Sequence, residues 1–434
     1  MAPTHTASWF GQPKGLTVLF LTEMWEKFSF FGMRALQLYY MTKQLQFSQG
    51  DASLVYGAYA AGVYLTPIFG GIVADRWLGR RRAVVTGGAL MALGHFMMAS
   101  EALFFPAMLV IAIGNGLFLP SLPSQIALLY PDNDPRRVSA YNVYYVGVNL
   151  GALLAPLVCG TLGEVYGWHV GFGAAGIGMC AGLAIYLAGS RHLPRDDVTA
   201  IPAVQAVQSG PGKVAMLAGV ALAVVVFRSA YEQTGNTLAL WTDASVDRAS
   251  LGGVIPATWF QSLNPLFVFL ISPVLVAMWN RRAARGLAVA DLPRMAWGAF
   301  GVALSYALLA GVAWSGAPAH WAWLVGFYAL FTLGELYILP VGLGLFARLA
   351  PGGFGSTTIA AWFLASFAGN LLSGIVGTWW EALGPGAFFG VMAVVCLGAS
   401  GMLAGIDFFD GRADRALLLR TGGMGPGLRP DDGI

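Results

Sequence analysis

The chain has 434 residues, of which 57% are hydrophobic and only 10% are charged, and its mean hydropathy is +0.66. Because about a quarter of the residues in an ordinary soluble domain are charged, this composition excludes a soluble globular protein and predicts an integral membrane protein. The net charge of +3 is small and gives no indication of nucleic acid or another polyanion as a partner.

Twelve apolar segments are long enough to cross a hydrocarbon core of about 30 Å, which takes about 20 helical residues. The predicted spans are 16–42, 53–74, 83–104, 106–129, 139–162, 169–190, 213–241, 256–280, 293–315, 320–347, 356–380 and 384–406. The sequence therefore predicts an all-α membrane protein with six spans, a polar connection and six more spans.

The polar connection divides the chain into two halves. We predict an N-terminal six-helix bundle (1–190), a cytoplasmic linker (191–212), a C-terminal six-helix bundle (213–406) and a cytoplasmic tail (407–434). Two six-span halves with a central linker are typical of parallel-repeat transporters, whose substrate site lies between the halves near the middle of the membrane.

The Lys and Arg residues indicate the orientation in the membrane. With the N-terminus inside, nineteen of the 24 lie on the cytoplasmic side, and only Lys43 and Arg248 lie on the outer side. The remaining three lie within spans. Because cytoplasmic loops carry an excess of Lys and Arg, we predict a multi-pass protein of the cell inner (plasma) membrane with both termini in the cytoplasm.

The first span carries four charged side chains on one face. Glu23, Glu26, Lys27 and Arg34 fall within roughly a third of the circumference of a helix. Each ionisable residue within a span costs about 2.5–3.5 kcal/mol to insert. A functional role is therefore the default hypothesis, and interhelical pairing that only fixes the packing is the alternative.

Three further ionisable residues lie deep in spans of the second half: Arg228 and Glu232 in the seventh span and Glu335 in the tenth. Charges in both halves are expected around a shared cavity. Because protonation of a buried Glu depends on whether a cation pairs with it, forming and breaking an ion pair can couple a proton to the opening of a cavity. Arg228 lies one turn before Glu232, which favours a local ion pair over a substrate contact.

The sequence indicates no metal site and no cofactor. Cys159, Cys180 and Cys396 all lie in predicted spans, which argues against a disulfide framework or a cysteine metal site. His95 in the third span has no neighbouring carboxylate in sequence and is interpreted as a packing residue. Because there is no convincing Ser and His pair and no His-rich cluster, we do not expect an enzyme.

Several motifs carry a family resemblance over nearly the whole chain. The pattern E-x-x-E-K-F-x-x-x-G at 23–32 resembles the first-helix signature of the proton-coupled oligopeptide transporters, a branch of the major facilitator superfamily. GGIVADRWLGRRR at 70–82 resembles the superfamily's loop between the second and third helices, and YNVYYVGVNLGALLAPLVCG at 141–160 is similar to the family's fifth-helix signature. Later matches are YEQTGNTLALWTD at 231–243, WFQSLNPLF at 259–267, GELYILPVGL at 334–343 and AWFLASFAGNLLSG at 361–374.

The resemblance implies the major facilitator superfamily fold, with twelve transmembrane helices in two six-helix bundles around a central cavity. It also implies a proton-coupled symporter that imports di- and tripeptides by alternating access. The residues that match the proton-coupling positions are Glu23, Glu26, Lys27 and Glu232. The residues that match the substrate site are Arg34, Tyr64, Asn149, Asn264, Glu335 and Trp362. The implied partners are small peptides, protons and membrane lipid, and we expect a monomer.

The chemistry of a peptide agrees with these positions. A zwitterion needs a cation and an anion held several ångströms apart, and Arg34 in one half and Glu335 in the other supply them. The resemblance implies that Arg34 binds the carboxylate of the peptide and Glu335 its amino terminus. Asn side chains can both donate to and accept from a peptide backbone.

The sequence also departs from the family pattern. Lys27 replaces the usual Arg, Phe30 and Phe31 replace common tyrosines, and Leu119 stands where many members have a Lys. Lys27 keeps the charge but lacks the planar fork that binds a carboxylate at two points. With Leu119 in that position, we expect Arg34 to be the cation of the N-terminal half that is free to bind the substrate carboxylate.

One other transport function remains as the alternative, and a channel is not supported. Because the substrate positions are altered, the chain could be a proton-coupled transporter of another small solute, such as nitrate, a drug or a peptide-like compound. A channel would need repeated rings of pore-lining polar residues, which the sequence does not show.

Overall fold

The computed structural model describes residues 11–131, 134–194, 211–250, 252–287, 289–348 and 355–420. The helices in these ranges are α1 Lys14–Tyr39, α2 Gln49–Val73, α3 Arg80–Met97, α4 Phe104–Ser121, α5 Arg136–Ala155, α6 Thr161–Tyr166, α7 Trp168–Gly189, α8 Pro211–Tyr231, α9 Thr237–Ser245, α10 Leu263–Ala284, α11 Asp291–Trp314, α12 Ala322–Arg348, α13 Gly355–Gly377 and α14 Trp380–Arg420. The strands are β1 Val246–Asp247, β2 Ala249–Ser250, β3 Gly253–Val254 and β4 Ala319–His320, and they form the pairs β1 with β4 and β2 with β3.

These helices form twelve membrane-spanning segments. Within the described ranges, ten segments are long and apolar enough to be recognised as spans by these properties alone. The other two are α1, which has four charged side chains in its interior, and α3, which begins with three arginines. Two spans are composite, because a π-helical turn joins α5 to α6 and a 3₁₀ turn joins α8 to α9.

The composite spans end later than the sequence predicts. The fifth span continues from the predicted end at 162 to Tyr166, and its π-helical turn begins at Pro156, which has no N–H for the regular helix ladder. The last helix, α14, continues to Arg420, so the predicted tail 407–434 begins as helix. The predicted linker lies partly outside the described residues, which stop at 194 and resume at 211.

Two large hydrophobic clusters form the core. The first consists of buried residues between Leu16 and Leu193, together with Ala239 and Ala257 from the second half. The second consists of buried residues between Leu217 and Leu403. Each half of the chain therefore packs largely around an apolar interior of its own.

The two halves meet at the ends of the helices that are predicted to face the outside. Lys43 Nζ lies 2.6 Å from an oxygen of Asp243, and Ser53 donates a 2.8 Å hydrogen bond to Asn236. Nearby, Glu164 accepts hydrogen bonds of 3.1 and 2.9 Å from the backbone N–H groups of residues 257 and 258, at the start of a 3₁₀ turn. These contacts hold the outer ends of the halves together.

A glycine contact allows the closest approach between α2 and α13. A Cβ atom on Gly57 would lie 2.5 Å from Gly374 Cα and 2.9 Å from the carbonyl oxygen of Asn370. Such distances are far below van der Waals contact, and backbone atoms cannot rotate away. The closed outer side therefore depends on the absence of a side chain at residue 57.

We predict that Gly57→Val separates the outer ends of the two halves. Spin labels on cysteines replacing the exposed Ser100 and Ser315 at those ends would report it, in a background whose native cysteines are alanine. The added side chain clashes with backbone, so a population with longer label-to-label distances should appear in electron–electron distance measurements.

Gly62→Val on the same helix is the matched control, because a Cβ atom there meets nothing within 4 Å. Its distance distribution should equal that of the parent. Unchanged distances in Gly57→Val would show that the outer ends do not depend on this contact.

Candidate functional site

A cavity of about 210 Å³ lies between the two halves. Its walls come from α1, α2 and α5 of the first half and from α8, α10 and α12 of the second. Five of the residues that the sequence predicts for the site line it: Arg34, Asn149, Glu232, Asn264 and Glu335. The structure thus brings the predicted cation of the first half and the predicted anion of the second half to one cavity.

Glu232 is shared by two arginines. Its side chain is 2% exposed, and one carboxylate oxygen pairs with Arg34 while the other lies 3.3 Å from Nη2 of Arg228. Arg34 also donates a 2.8 Å hydrogen bond to the hydroxyl of Tyr56. The predicted Arg228–Glu232 ion pair is confirmed, whereas the expectation that Arg34 is free is wrong: its partner is on the opposite half.

This group has two guanidinium groups for one carboxylate, so its formal charge is +1 when all three groups are ionised. In a site sheltered from water, charges interact more strongly than in solution. The surplus charge therefore attracts an anion to this wall of the cavity. An anion that binds Arg34 displaces Glu232 from it, but Glu232 keeps Arg228 as a partner.

The opposite charge lies on the other wall of the cavity. Glu335 accepts a 2.8 Å hydrogen bond from the hydroxyl of Tyr231 and a 2.5 Å hydrogen bond from the side-chain amide of Asn264. Among the ion pairs of the described residues, none involves Glu335. Both neutral partners fix the orientation of the carboxylate and leave its charge available to a cation.

The first-helix charges form a separate group outside the cavity lining. Lys27 Nζ lies 2.6 Å from Glu26 and 3.4 Å from Glu23, and the side chains are 12%, 0% and 2% exposed respectively. Close packing against α5 shelters them, since a Cβ atom on Gly151 would lie 2.9 Å from Cβ of Lys27. With two carboxylates and one ammonium, this group has a formal charge of −1 when fully ionised, and binding of a proton neutralises it.

Two of the predicted substrate-site residues do not line the cavity. The ring of Tyr64 lies under the guanidinium of Arg228, 4.6 Å from its central carbon, and thus contacts an arginine that pairs with Glu232. Trp362 is 7% exposed and packs edge-on against Phe346, 5.3 Å between centroids, in the hydrophobic core of the second half. A role of these two residues in substrate contact stays a prediction.

Sequence reasoning missed several residues that line the cavity: Phe31, Tyr56, Tyr145, Tyr231, Gln261, Tyr328 and Phe331. Most lie three, four or seven positions from a residue that was predicted, as Tyr145 does from Asn149 and Gln261 from Asn264. Such residues share a helix face. The helical repeat around each predicted residue is the signal that could have found them.

The described residues contain no group of three or more His, Cys, Asp and Glu side chains that could hold a metal ion. His95 is fully buried, and neither ring nitrogen has a hydrogen-bond partner in the described part of the chain. Its surroundings are those of a packed side chain.

Comparison with known proteins gives consistent relatives. Residues 81–207 and 212–385 match the model of the POT family. Peptide transporter YePEPT of Yersinia enterocolitica subsp. palearctica serotype O:3 (strain YE-P4) is 32% identical over 85% of this chain and 88% of its own. The di-/tripeptide transporter of Lactococcus lactis subsp. cremoris is 30% identical over 92% of this chain and 95% of its own. Among solved structures, a mutant of peptide transporter POT in complex with alafosfalin has a similar fold, with a TM-score of 0.85. Its sequence is 30% identical, and the match covers 94% of this chain and 97% of that one.

We predict that Glu232→Gln lowers the apparent melting temperature of the purified protein in detergent. The substitution leaves the buried Arg228 and the half-buried Arg34 without a carboxylate, and breaking a buried ion pair costs about 3–5 kcal/mol. Removing one of the two cations as well, in Glu232→Gln/Arg228→Met, should recover much of the loss.

Glu381→Gln is the control for loss of a carboxylate, because Glu381 is exposed and should tolerate the change. A double variant that is no more stable than Glu232→Gln would contradict the shared ion pair as the cause.

Proposed function

The chain belongs to the POT family, and from this premise we propose that it is a proton-coupled symporter that imports di- and tripeptides by alternating access. Family membership confirms the recognition from the motifs, and the chain is a transporter rather than an enzyme. The predicted fold, twelve transmembrane helices in two six-helix bundles around a central cavity, is confirmed by the match to solved transporters of this family. The observation that carries the proposal is the cavity with opposite charges on its two walls.

A short zwitterionic peptide fits this distribution of charge. In the proposal, its carboxylate binds Arg34 and its amino group binds Glu335, while Asn149 and Asn264 serve the peptide backbone. The similarity to a di-/tripeptide transporter and to a peptide transporter bound to alafosfalin supports this class of substrate. Contacts to the two termini tolerate many side chains, because they do not depend on side-chain identity.

Binding of the peptide exchanges one ion pair for another. The substrate carboxylate takes the place of Glu232 on Arg34, which releases the pair that joins the two halves. Arg228 remains 3.3 Å from Glu232, so the displaced carboxylate is not left as an unpaired buried charge. In the proposal, Glu232 thus acts as a gating carboxylate whose release depends on the substrate.

The proton binds elsewhere in the proposal, at the group of Glu23, Glu26 and Lys27. Its surplus of one carboxylate can take up a proton without any change at the peptide site. Because α1 carries both this group and Arg34, protonation and substrate binding act on the same helix. Movement of α1 relative to α5 and α8 is then the route by which the two events are coupled.

The position of the protein in the cell is part of the proposal. The excess of Lys and Arg in alternate loops supports a multi-pass protein of the inner membrane with both termini in the cytoplasm. The two hydrophobic cores support six-helix bundles at 1–190 and 213–406, joined by a linker at 191–212 and followed by a tail at 407–434.

We predict that proteoliposomes accumulate labelled dialanine when the outside is acidic and the inside is negative. One proton that crosses 100 mV supplies about 2.3 kcal/mol, which corresponds to roughly fifty-fold accumulation of solute. A protonophore should abolish accumulation, which is measured as retained label over time.

Protein-free liposomes and a sodium gradient without a proton gradient are the controls, and neither should drive uptake. Absence of peptide uptake together with proton-driven uptake of nitrate or a drug would replace the peptide by another small solute.

We also predict that Glu26→Gln or Glu23→Gln impairs gradient-driven uptake more than exchange of peptide for peptide. Gln is neutral and cannot cycle through a proton, whereas exchange returns the carrier without net proton movement. Both rates are measured in the same proteoliposome preparation.

Glu381→Gln, which alters an exposed carboxylate, should keep both activities. Equal loss of exchange and driven uptake in both first-helix variants would indicate a folding or gating defect and remove these residues from proton coupling.

A further inference from the structure

A second cavity lies on the membrane-facing side of the second half. Its volume is about 420 Å³, and its lining comes from α10, α11, α12 and the connection between α10 and α11. It shares no lining residue with the central cavity, although Leu333 and Gly334 directly precede Glu335 on α12. The proposed transport mechanism gives it no role.

The wall of this cavity is apolar and faces lipid. Trp297 is 68% exposed, and Met278 and Leu333 are each 38% exposed, although all three lie in or beside membrane spans. Large apolar side chains exposed on a span are covered by acyl chains in the bilayer. An occupant of this cavity can therefore enter from the membrane without crossing water.

The cavity is a groove beside a close helix crossing. A Cβ atom on Gly298 of α11 would lie 2.6 Å from the carbonyl oxygen of Gly334 in α12, so the two helices touch through glycines. Gly301, one turn further along α11, also lines the groove. Because Gly298, Gly301 and Gly334 have no side chains, space remains between α11 and α12 among the larger side chains that line the cavity.

Two arginines lie at one end of the groove. Arg282 lies two residues before the end of α10, and Arg294 lies three residues after the start of α11, so both are near the predicted cytoplasmic surface. Neither forms an ion pair within the described residues, and the nearby Asp291 pairs with Arg348 instead. The groove thus ends in two positive charges without a carboxylate.

Arg294 has a donor that is ready for a ligand. Its guanidinium lies over the ring of Trp279, 5.4 Å from the centroid. Its Nε is buried and has no hydrogen-bond partner in the described part of the chain. A buried donor without an acceptor is costly, and an anion in the groove would satisfy it.

We propose that this groove binds an anionic phospholipid of the cytoplasmic leaflet, with its phosphate at Arg282 and Arg294 and an acyl chain along Met278 and Leu333. Guanidinium groups bind phosphate oxygens through paired N–H donors. Basic pockets between spans on the cytoplasmic side are suited to such head groups, and Trp and Tyr are enriched at this depth. The apolar part of the lining can contact an acyl chain but provides no polar group for a free anion. It therefore favours a lipid over a free anion.

The test measures lipid binding to the purified full chain by native mass spectrometry. The protein is titrated with phosphatidylglycerol or phosphatidylcholine of identical acyl chains. Wild type should prefer phosphatidylglycerol, and Arg282→Gln/Arg294→Gln should lose that preference, weakening binding roughly thirty-fold for two cations near the membrane surface. Arg281→Gln, an exposed neighbour on α10 outside the cavity lining, is the matched control and should bind as wild type does.

A second variant keeps the charges and fills the groove. Leu333→Trp should reduce binding of phosphatidylglycerol while leaving both arginines in place, and its elution in size-exclusion chromatography reports whether it is folded. Glycerol phosphate and inorganic phosphate are added as competitors to distinguish a lipid from a free anion.

Equal phosphatidylglycerol binding by wild type, the double Gln variant and Leu333→Trp would overturn the site. Displacement of the lipid by glycerol phosphate or inorganic phosphate at comparable concentration would overturn the lipid and leave a free-anion site. Neither readout depends on transport, so failure here is distinct from failure of the proposed symport.

Discussion

The pair between Arg34 and Glu232 joins the two halves of the molecule inside the membrane-spanning region, where an unpaired charge is most costly. Each half has its own hydrophobic core and can keep its internal packing when the halves move. The charged contacts between the halves can be exchanged, whereas the packing of α2 on α13 at Gly57 is a contact between backbones. Replacement of one carboxylate by another on Arg34 changes the attraction between the halves without exposing either core.

The buried charges form a balanced set with one carboxylate in excess. The seven ionisable residues deep in the spans comprise four carboxylates and three cations, a formal charge of −1 when all are ionised. One bound proton brings the set to neutrality, and a zwitterionic peptide adds no net charge. In the proposed symport, the loaded carrier therefore changes conformation with less electrostatic cost when it is protonated than when it is not.

The fold could be predicted largely from apolar segments, because crossing a bilayer imposes length and hydropathy. Arg34 and Glu335 could be predicted for a similar reason, since a charge in such a segment stands out. The pairing of Arg34 with Glu232 could not be predicted from the sequence. The two residues are 198 positions apart, and only the packing of the halves brings them together. Tyr56 and Tyr231 were missed because tyrosine is common in membrane spans and does not by itself indicate a binding site. For Trp362, the sequence did not indicate whether its side chain faces the cavity or the hydrophobic core.

The two arginines on Glu232 respond differently to movement of the halves. Arg228 and Glu232 are four residues apart in one span, so their pair moves as a unit and persists when the halves separate. Arg34 belongs to the other half, so its pair must break. The cation that the family resemblance implies at the position of Leu119 would also belong to the first half. Arg228 belongs to the same half as Glu232, so in the proposed alternating access it keeps Glu232 as its partner while Arg34 changes partner.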